Sequence, residues 1–282
     1  MTQFINFLFL ALGLGAVYAL LAIPLSVVFS TTGVIDVAVG VYATVAGLTA
    51  ASVGLPLGLV AGAGAGMACA GVVGGLYLLI GSRPKADVIL LILVGLLVLL
   101  IGTSVGQAVF GVDPRSLGGL RSAFTPGQLI IPHFVLAAAA VTAVMLLAVL
   151  ALLHKTRIGE EMRAVASNPQ AAGLCGINVR RYQFAAFVAG GLLASAAGIL
   201  LGVSRSVAYN SSLVLTLLGF GALIVLGIRG PARAVAGGLA IALIEVLSVG
   251  YLPAGIATAM PLVFILVVLA SGRFDIHASS RP

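Results

Sequence analysis

The chain has 282 residues, 61% hydrophobic and only 7% charged, with a mean hydropathy of +1.27. A soluble domain carries about 25% charged residues, so a single water-soluble core is excluded. The net charge of +7 does not point to nucleic acid either, because its bearers sit in short connectors between apolar runs and form no basic stripe.

No Lys or Arg precedes Arg83, so the opening apolar run lacks the basic start of a cleavable signal peptide and is predicted to remain as a helix. Runs predicted to span a membrane lie at 4–29, 36–53, 57–81, 88–108, 132–153, 182–204, 213–229, 234–252 and 254–271. At about 20 residues per crossing, the expected fold is an all-α polytopic membrane protein of roughly eight to ten helices, in one domain covering 1–282.

Between the first two runs, Thr31-Thr32-Gly33-Val34-Ile35-Asp36-Val37-Ala38-Val39-Gly40 interrupts the apolar pattern. A broken helix at membrane depth is tolerated where it lines a cavity, and its free backbone groups meet solute. On that reading Gly33, Asp36 and Gly40 border a translocation pathway; on the other, Asp36 caps an ordinary turn. Further along, Gly58, Gly62, Gly66, Ala70 and Gly74 recur every fourth residue and predict a flat ridge for close helix packing, repeated by Gly198 and Gly202.

Lys85 and Lys155 are the only lysines and neither sits in a phosphate-binding G-x-x-x-x-G-K-[ST] loop, so ATP hydrolysis is not expected on this chain. Gly102-Thr103-Ser104-Val105-Gly106 matches a serine-nucleophile pattern, but within an apolar helix its small residues read as packing. His133, His154 and His277 are far apart and offer no metal-ligand pair, so neither a catalytic nor a metal site is expected. Glu245, inside the run 234–252, either lines a polar path or bonds neighbouring helices, since a charge in lipid is costly unless it faces protein or water.

The stretch 154–181 is the longest charged connector. Within it Asn168 suits a helix N-cap, Pro169 the first helical position and Gly176 a left-handed C-cap, so a very short helix is predicted with Ala171, Ala172, Leu174 and Cys175 on its small apolar side. Two turns are marginal alone in water and need a surface, which is either a soluble partner or the bilayer interface. If 154–181 is cytoplasmic, eleven Lys and Arg fall on that side, and only Arg115, Arg121 and Arg205 on the other, which also places the C-terminus inside. Nine crossings put the N-terminus outside, while a re-entrant 31–40 would return it.

Arg157-Ile158-Gly159, Arg163-Ala164-Val165-Ala166, Asn168-Pro169-Gln170-Ala171-Ala172 and Gly176-Ile177-Asn178-Val179-Arg180-Arg181 resemble the cytoplasmic coupling loop of branched-chain amino acid ABC transporter permeases, a loop that sugar permeases share in large part. Gly15-Ala16-Val17-Tyr18-Ala19-Leu20 and Ala234-Val235-Ala236-Gly237-Gly238 extend the resemblance. The family usually has an Asn-Phe-Ala-His-Gly type sequence where this chain has Asp36-Val37-Ala38-Val39-Gly40, and a Gly-Gly-x-Gly-Ser type turn where it has Gly227-Ile228-Arg229-Gly230-Pro231.

The resemblance implies a bacterial inner-membrane importer subunit for a small polar solute, a branched-chain amino acid or a related amide or carboxylate. It implies a second homologous permease, giving a heterodimer, two cytoplasmic ATPases that hold ATP and Mg, and an extracytoplasmic binding protein. Asn168, Pro169, Ala171, Ala172, Leu174 and Gly176 would then couple to the ATPases. The competing reading is a secondary transporter or channel, which would need intramembrane ionisable groups as a relay. A membrane hydrolase fails for want of partners to Ser104.

Overall fold

The structure, a computed structural model, describes residues 2–81, 88–118, 123–124, 131–226 and 230–270. In chain order these form α1 (Thr2–Thr32), α2 (Val39–Val53), α3 (Leu57–Gly81), α4 (Val88–Phe110), the two-residue strands β1 (Ala123–Phe124) and β2 (Ile131–Pro132), and α5 (His133–Lys155). There follow α6 (Arg157–Ser167), α7 (Pro169–Leu174), α8 (Val179–Ser204), α9 (Ser211–Val225), α10 (Pro231–Tyr251), α11 (Ala254–Ala257) and α12 (Met260–Ala270).

The all-α polytopic fold expected from composition is the one adopted, since lipid offers no partner for an unpaired N–H or C=O and the helix pairs them locally. Among the described residues each predicted run is mostly helical, but not every run is long enough to cross. Six helices meet that requirement among the described residues: α1, α3, α4, α5, α8 and α10. The stretches Val39–Val53, Ser211–Val225 and Gly255–Ala270 are shorter. The 15 residues of α2, or of α9, rise about 22 Å against a hydrocarbon core of about 30 Å.

Helix direction follows from the contacts. The Phe7 ring of α1 stacks edge-on against Tyr251 at the end of α10. The other end of α1 meets the starts of α8 and the finish of α3, where Gln183 Nε2 donates to the Thr31 carbonyl at 3.3 Å and the Tyr77 hydroxyl to the Thr32 carbonyl at 3.1 Å. α1 therefore runs the full depth of the bundle, ending on the side of the 154–181 loop. The chain reverses at 31–40, and α2 runs back toward the opposite side alongside α8.

The predicted ridge is buried at all five positions. It faces α2 and α8: a Cβ on Gly62 would stand 2.6 Å from the Ala46 carbonyl oxygen, one on Gly66 2.9 Å from the Tyr42 carbonyl oxygen, and one on Gly74 2.9 Å from Phe187 Cβ. The ridge thus assembles the chain's own bundle, since without a hydrophobic force between helices in lipid, close backbone approach supplies the attraction.

Candidate functional site

The break between α1 and α2 has a defined construction. Gly33 takes φ +72°, which an L side chain resists, and turns the chain out of α1. Several of the exposed backbone groups are then paired. Gly33 N–H donates to the Phe29 carbonyl at 2.8 Å, Val34 N–H to Thr32 Oγ1 at 3.2 Å, and Ala38 N–H to Asp36 Oδ1 at 3.0 Å. Gly40 N–H donates to Thr216 Oγ1 of α9 at 3.1 Å, and that hydroxyl lies 3.1 Å from the Val37 carbonyl. A hydroxyl from another helix replaces the missing helical partners, which is how non-helical backbone persists inside a bundle.

The first turns of α2 and α9 therefore meet inside the protein, and they meet very closely. A Cβ on Gly40 would land on the Ser212 carbonyl oxygen, so glycine is required there for helix contact. Asp36 is 7% exposed. Its carboxyl faces the Tyr42 hydroxyl and borders a small cavity walled by Val73 and Tyr77 of α3, Leu91, Val94 and Gly95 of α4, and Phe187 of α8. Asp36 is thus both a local turn former and a wall of a cavity.

Glu245 lies elsewhere. One oxygen accepts from the Tyr18 hydroxyl of α1, and the other faces Arg205 Nη1 at 3.4 Å just past α8. In this geometry Glu245 ties α1, the end of α8 and α10 together. Arg205, one of the three basic residues expected on the side opposite 154–181, is the partner that the sequence leaves unassigned. A charge at membrane depth calls for a counter-charge, and Arg205, in a connector otherwise poor in charge, was the available signal.

The 154–181 segment folds as its cap residues specify. Thr156 opens α6 by accepting from Gly159 N–H at 3.1 Å, and Met162 and Val165 are buried beneath it. Asn168 Oδ1 accepts from Gln170 and Ala171 N–H, both at 3.0 Å, Pro169 opens α7, and Gly176 takes φ +85° to end it. One detail corrects the predicted apolar face. Ala172 is 5% exposed and turned into the protein, whereas Leu174 is 91% exposed and Ala171 is exposed beside it. The helix leans on its neighbours through Ala172, so of that face Ala171, Leu174 and Cys175 are offered outward. Ser104, in α4, donates its hydroxyl to the Leu100 carbonyl one turn back at 3.0 Å. Arg83, Lys85, Arg121, Arg229, Arg273, His277 and Arg281, with the expected C-terminal side, lie outside the described residues.

A family profile described as "Branched-chain amino acid transport system / permease component" matches residues 7–271. The chain is 30% identical over 199 residues to the ribose import permease protein RbsC of Escherichia coli, covering 70% of this chain and 61% of that protein. It is 28% identical over 260 residues to the probable branched-chain amino acid transport permease protein LivH of Methanocaldococcus jannaschii, covering 85% of this chain and 79% of that one. A 48-residue stretch is 52% identical to the probable ABC transporter permease protein YphD of Escherichia coli, 17% of this chain and 14% of that one. The chain is a multi-pass membrane protein and belongs to the family of branched-chain amino acid transport system permease components.

Proposed function

We propose that this chain is the membrane-spanning subunit of an ATP-binding-cassette importer for a small polar solute, working as one domain over 1–282 in a bacterial inner membrane. The observation that carries the reading is the family match along 7–271, which takes in both the broken α1–α2 junction and the capped α6–α7 segment. In this reading a second permease completes the pathway, two ATPases hold ATP and Mg and grip α7, and a binding protein delivers solute on the opposite side. The relatives' names include a ribose permease and an amino acid permease, which leaves the solute class to chemistry. A gradient-driven relay is disfavoured because Glu245 is committed to Arg205 and Tyr18.

The orientation has a direct test. Cys175 is exposed in the α7 turn, whereas Cys69 is partly buried in α3. An impermeant thiol reagent is expected to modify Cys175 in inside-out vesicles and to leave it unmodified in right-side-out spheroplasts. Modification in intact spheroplasts would invert the topology, and with it the ATPase side.

The pathway role of Asp36 separates from its turn role by substitution. Asp36→Asn keeps an oxygen to accept from Ala38 N–H and removes the charge, whereas Asp36→Ala also removes the acceptor, at a cost of about 1 kcal/mol. Uptake is expected to fall in both variants with assembly intact, and melting temperature to fall only in Asp36→Ala. Full uptake by Asp36→Asn would return the carboxyl to the status of a turn former.

A further inference from the structure

Of the carboxylates Asp36 and Glu245 inside the bundle, one has a counter-charge and the other does not. Glu245 faces Arg205 at 3.4 Å. Asp36 is 7% exposed, and among the described residues no basic side chain comes within 4 Å of its carboxyl. The donors around it are neutral. Ala38 N–H donates to Oδ1 at 3.0 Å, Gln183 Nε2 to the Thr31 carbonyl at 3.3 Å and the Tyr77 hydroxyl to the Thr32 carbonyl at 3.1 Å. Those two carbonyls belong to the last turn of α1, and a helix C-terminus carries about half a negative charge. A carboxylate and the negative end of a helix thus share one enclosed place without a positive group, which a membrane interior strongly disfavours.

Oxygen atoms in want of a partner lie at the same place. The Tyr42 hydroxyl faces the Asp36 carboxyl, is buried, and closes no hydrogen bond of ordinary geometry. The Val34 carbonyl is approached by the Thr32 hydroxyl at 3.3 Å, but the single proton of that hydroxyl goes to the Val28 carbonyl at 2.7 Å. Val34 and Asp36 border one cavity of about 20 Å³, where a single water needs about 10–15 Å³. Its other walls include Val73, Leu91, Val94 and Phe187, which leave no room for an organic cation.

The charge count selects the kind of ion. Calcium takes about 6–8 oxygen ligands and magnesium keeps several of its waters. One carboxylate with a few neutral oxygens in an apolar wall suits a single positive charge. Unwound backbone beside a helix C-terminus is also where membrane transporters hold sodium.

We propose that Asp36, the Tyr42 hydroxyl and the Val34 carbonyl form a binding site for one small monovalent metal cation of the sodium type. The ion supplies the counter-charge that this junction lacks and holds the broken backbone against α3, α4 and α8. The site goes beyond the importer reading and does not depend on it.

The test uses the full chain in lipid nanodiscs and dicyclohexylcarbodiimide, an apolar reagent for carboxyls within membranes, with peptide mass spectrometry to read each residue. Sodium chloride and choline chloride are the probes, at equal ionic strength. Sodium is expected to slow modification of Asp36 several-fold relative to choline. Glu245 is the internal control and should be unchanged, because Arg205 already answers its charge. Equal rates at Asp36 in the two salts would mean that water or a proton fills the site, and would overturn the proposal. Equal protection of Glu245 would mark a general salt effect and overturn it too. Thermal unfolding gives a second reading. Sodium is expected to raise the melting temperature of the unaltered chain above its value in choline. That difference should vanish in Asp36→Asn and shrink in Tyr42→Phe, which removes the hydroxyl alone. A difference that persists in full in Asp36→Asn would place the ion elsewhere and sink the assignment. Neither measurement needs transport, so failure here is distinct from failure of the importer reading, which shows as absence of ATP-driven uptake by the whole complex.

Discussion

Leu174→Asp is expected to abolish ATP-driven uptake, or to release the ATPases, while the permease still folds and inserts. Leu174 is 91% exposed, so a carboxylate there stays in water in the isolated chain and costs the fold nothing. On the proposed reading the same side chain is covered by an ATPase groove, and an unpaired charge desolvated in that groove costs about 3 kcal/mol, on the order of a hundredfold in affinity. The neighbouring Ala172 is a poor probe despite its place in the same helix. It is 5% exposed, so Ala172→Asp would bury the charge within the chain and disrupt α7 itself. Gln170→Ala, which introduces no charge, is expected to be nearly silent. The experiment is to purify each complex, then measure retained ATPase and solute uptake. Normal levels of both in Leu174→Asp would mean that α7 rests on the bilayer interface instead of a partner.

The second large effect concerns stability. A Cβ on Gly198 of α8 would fall on the Ala43 carbonyl oxygen of α2. The obstacle is backbone on both sides, so no rotamer change relieves it, and the two helices must separate. Overpacking of this kind costs about 1–3 kcal/mol even for one methyl. Gly198→Ala is expected to lower the melting temperature of the detergent-solubilised chain clearly, and Gly198→Leu to prevent accumulation of folded protein. Gly64→Ala is the control: nothing stands within 4 Å of its Cβ position, and alanine favours the helix by about 1 kcal/mol over glycine. Equal melting temperatures for Gly198→Ala and Gly64→Ala would show that α2 and α8 are not pressed together as described.

The same helix contact explains why some features were legible along the chain and others were not. The excess of apolar residues dictates a lipid solvent and therefore helices. The caps of α7 were readable because Asn168, Pro169 and Gly176 act within a few residues of themselves, through side-chain acceptance, a fixed φ and a positive φ. The ridge of α3 was readable as a period, since small residues every fourth position mark one helix face whatever lies opposite.

Hydropathy, by contrast, measures how apolar a run is and not how deep it begins. It made α2 and α9 look like ordinary crossings, whereas they are short helices whose first turns meet inside the bundle, fixed by Thr216 reaching from one to the other. The partner of Glu245 was hidden for the same reason: Arg205 lies 40 residues away and Tyr18 lies 227 away. The inward turn of Ala172 depends on where α6 and α8 lean against the bundle. By itself the sequence determined solvent, helices, caps and packing faces, because each is set by residues within a turn or two of one another. Only the tertiary structure decided which broken ends meet, which charge answers Glu245 and which side of α7 is free, because those contacts join segments whose separation along the chain carries no local signal.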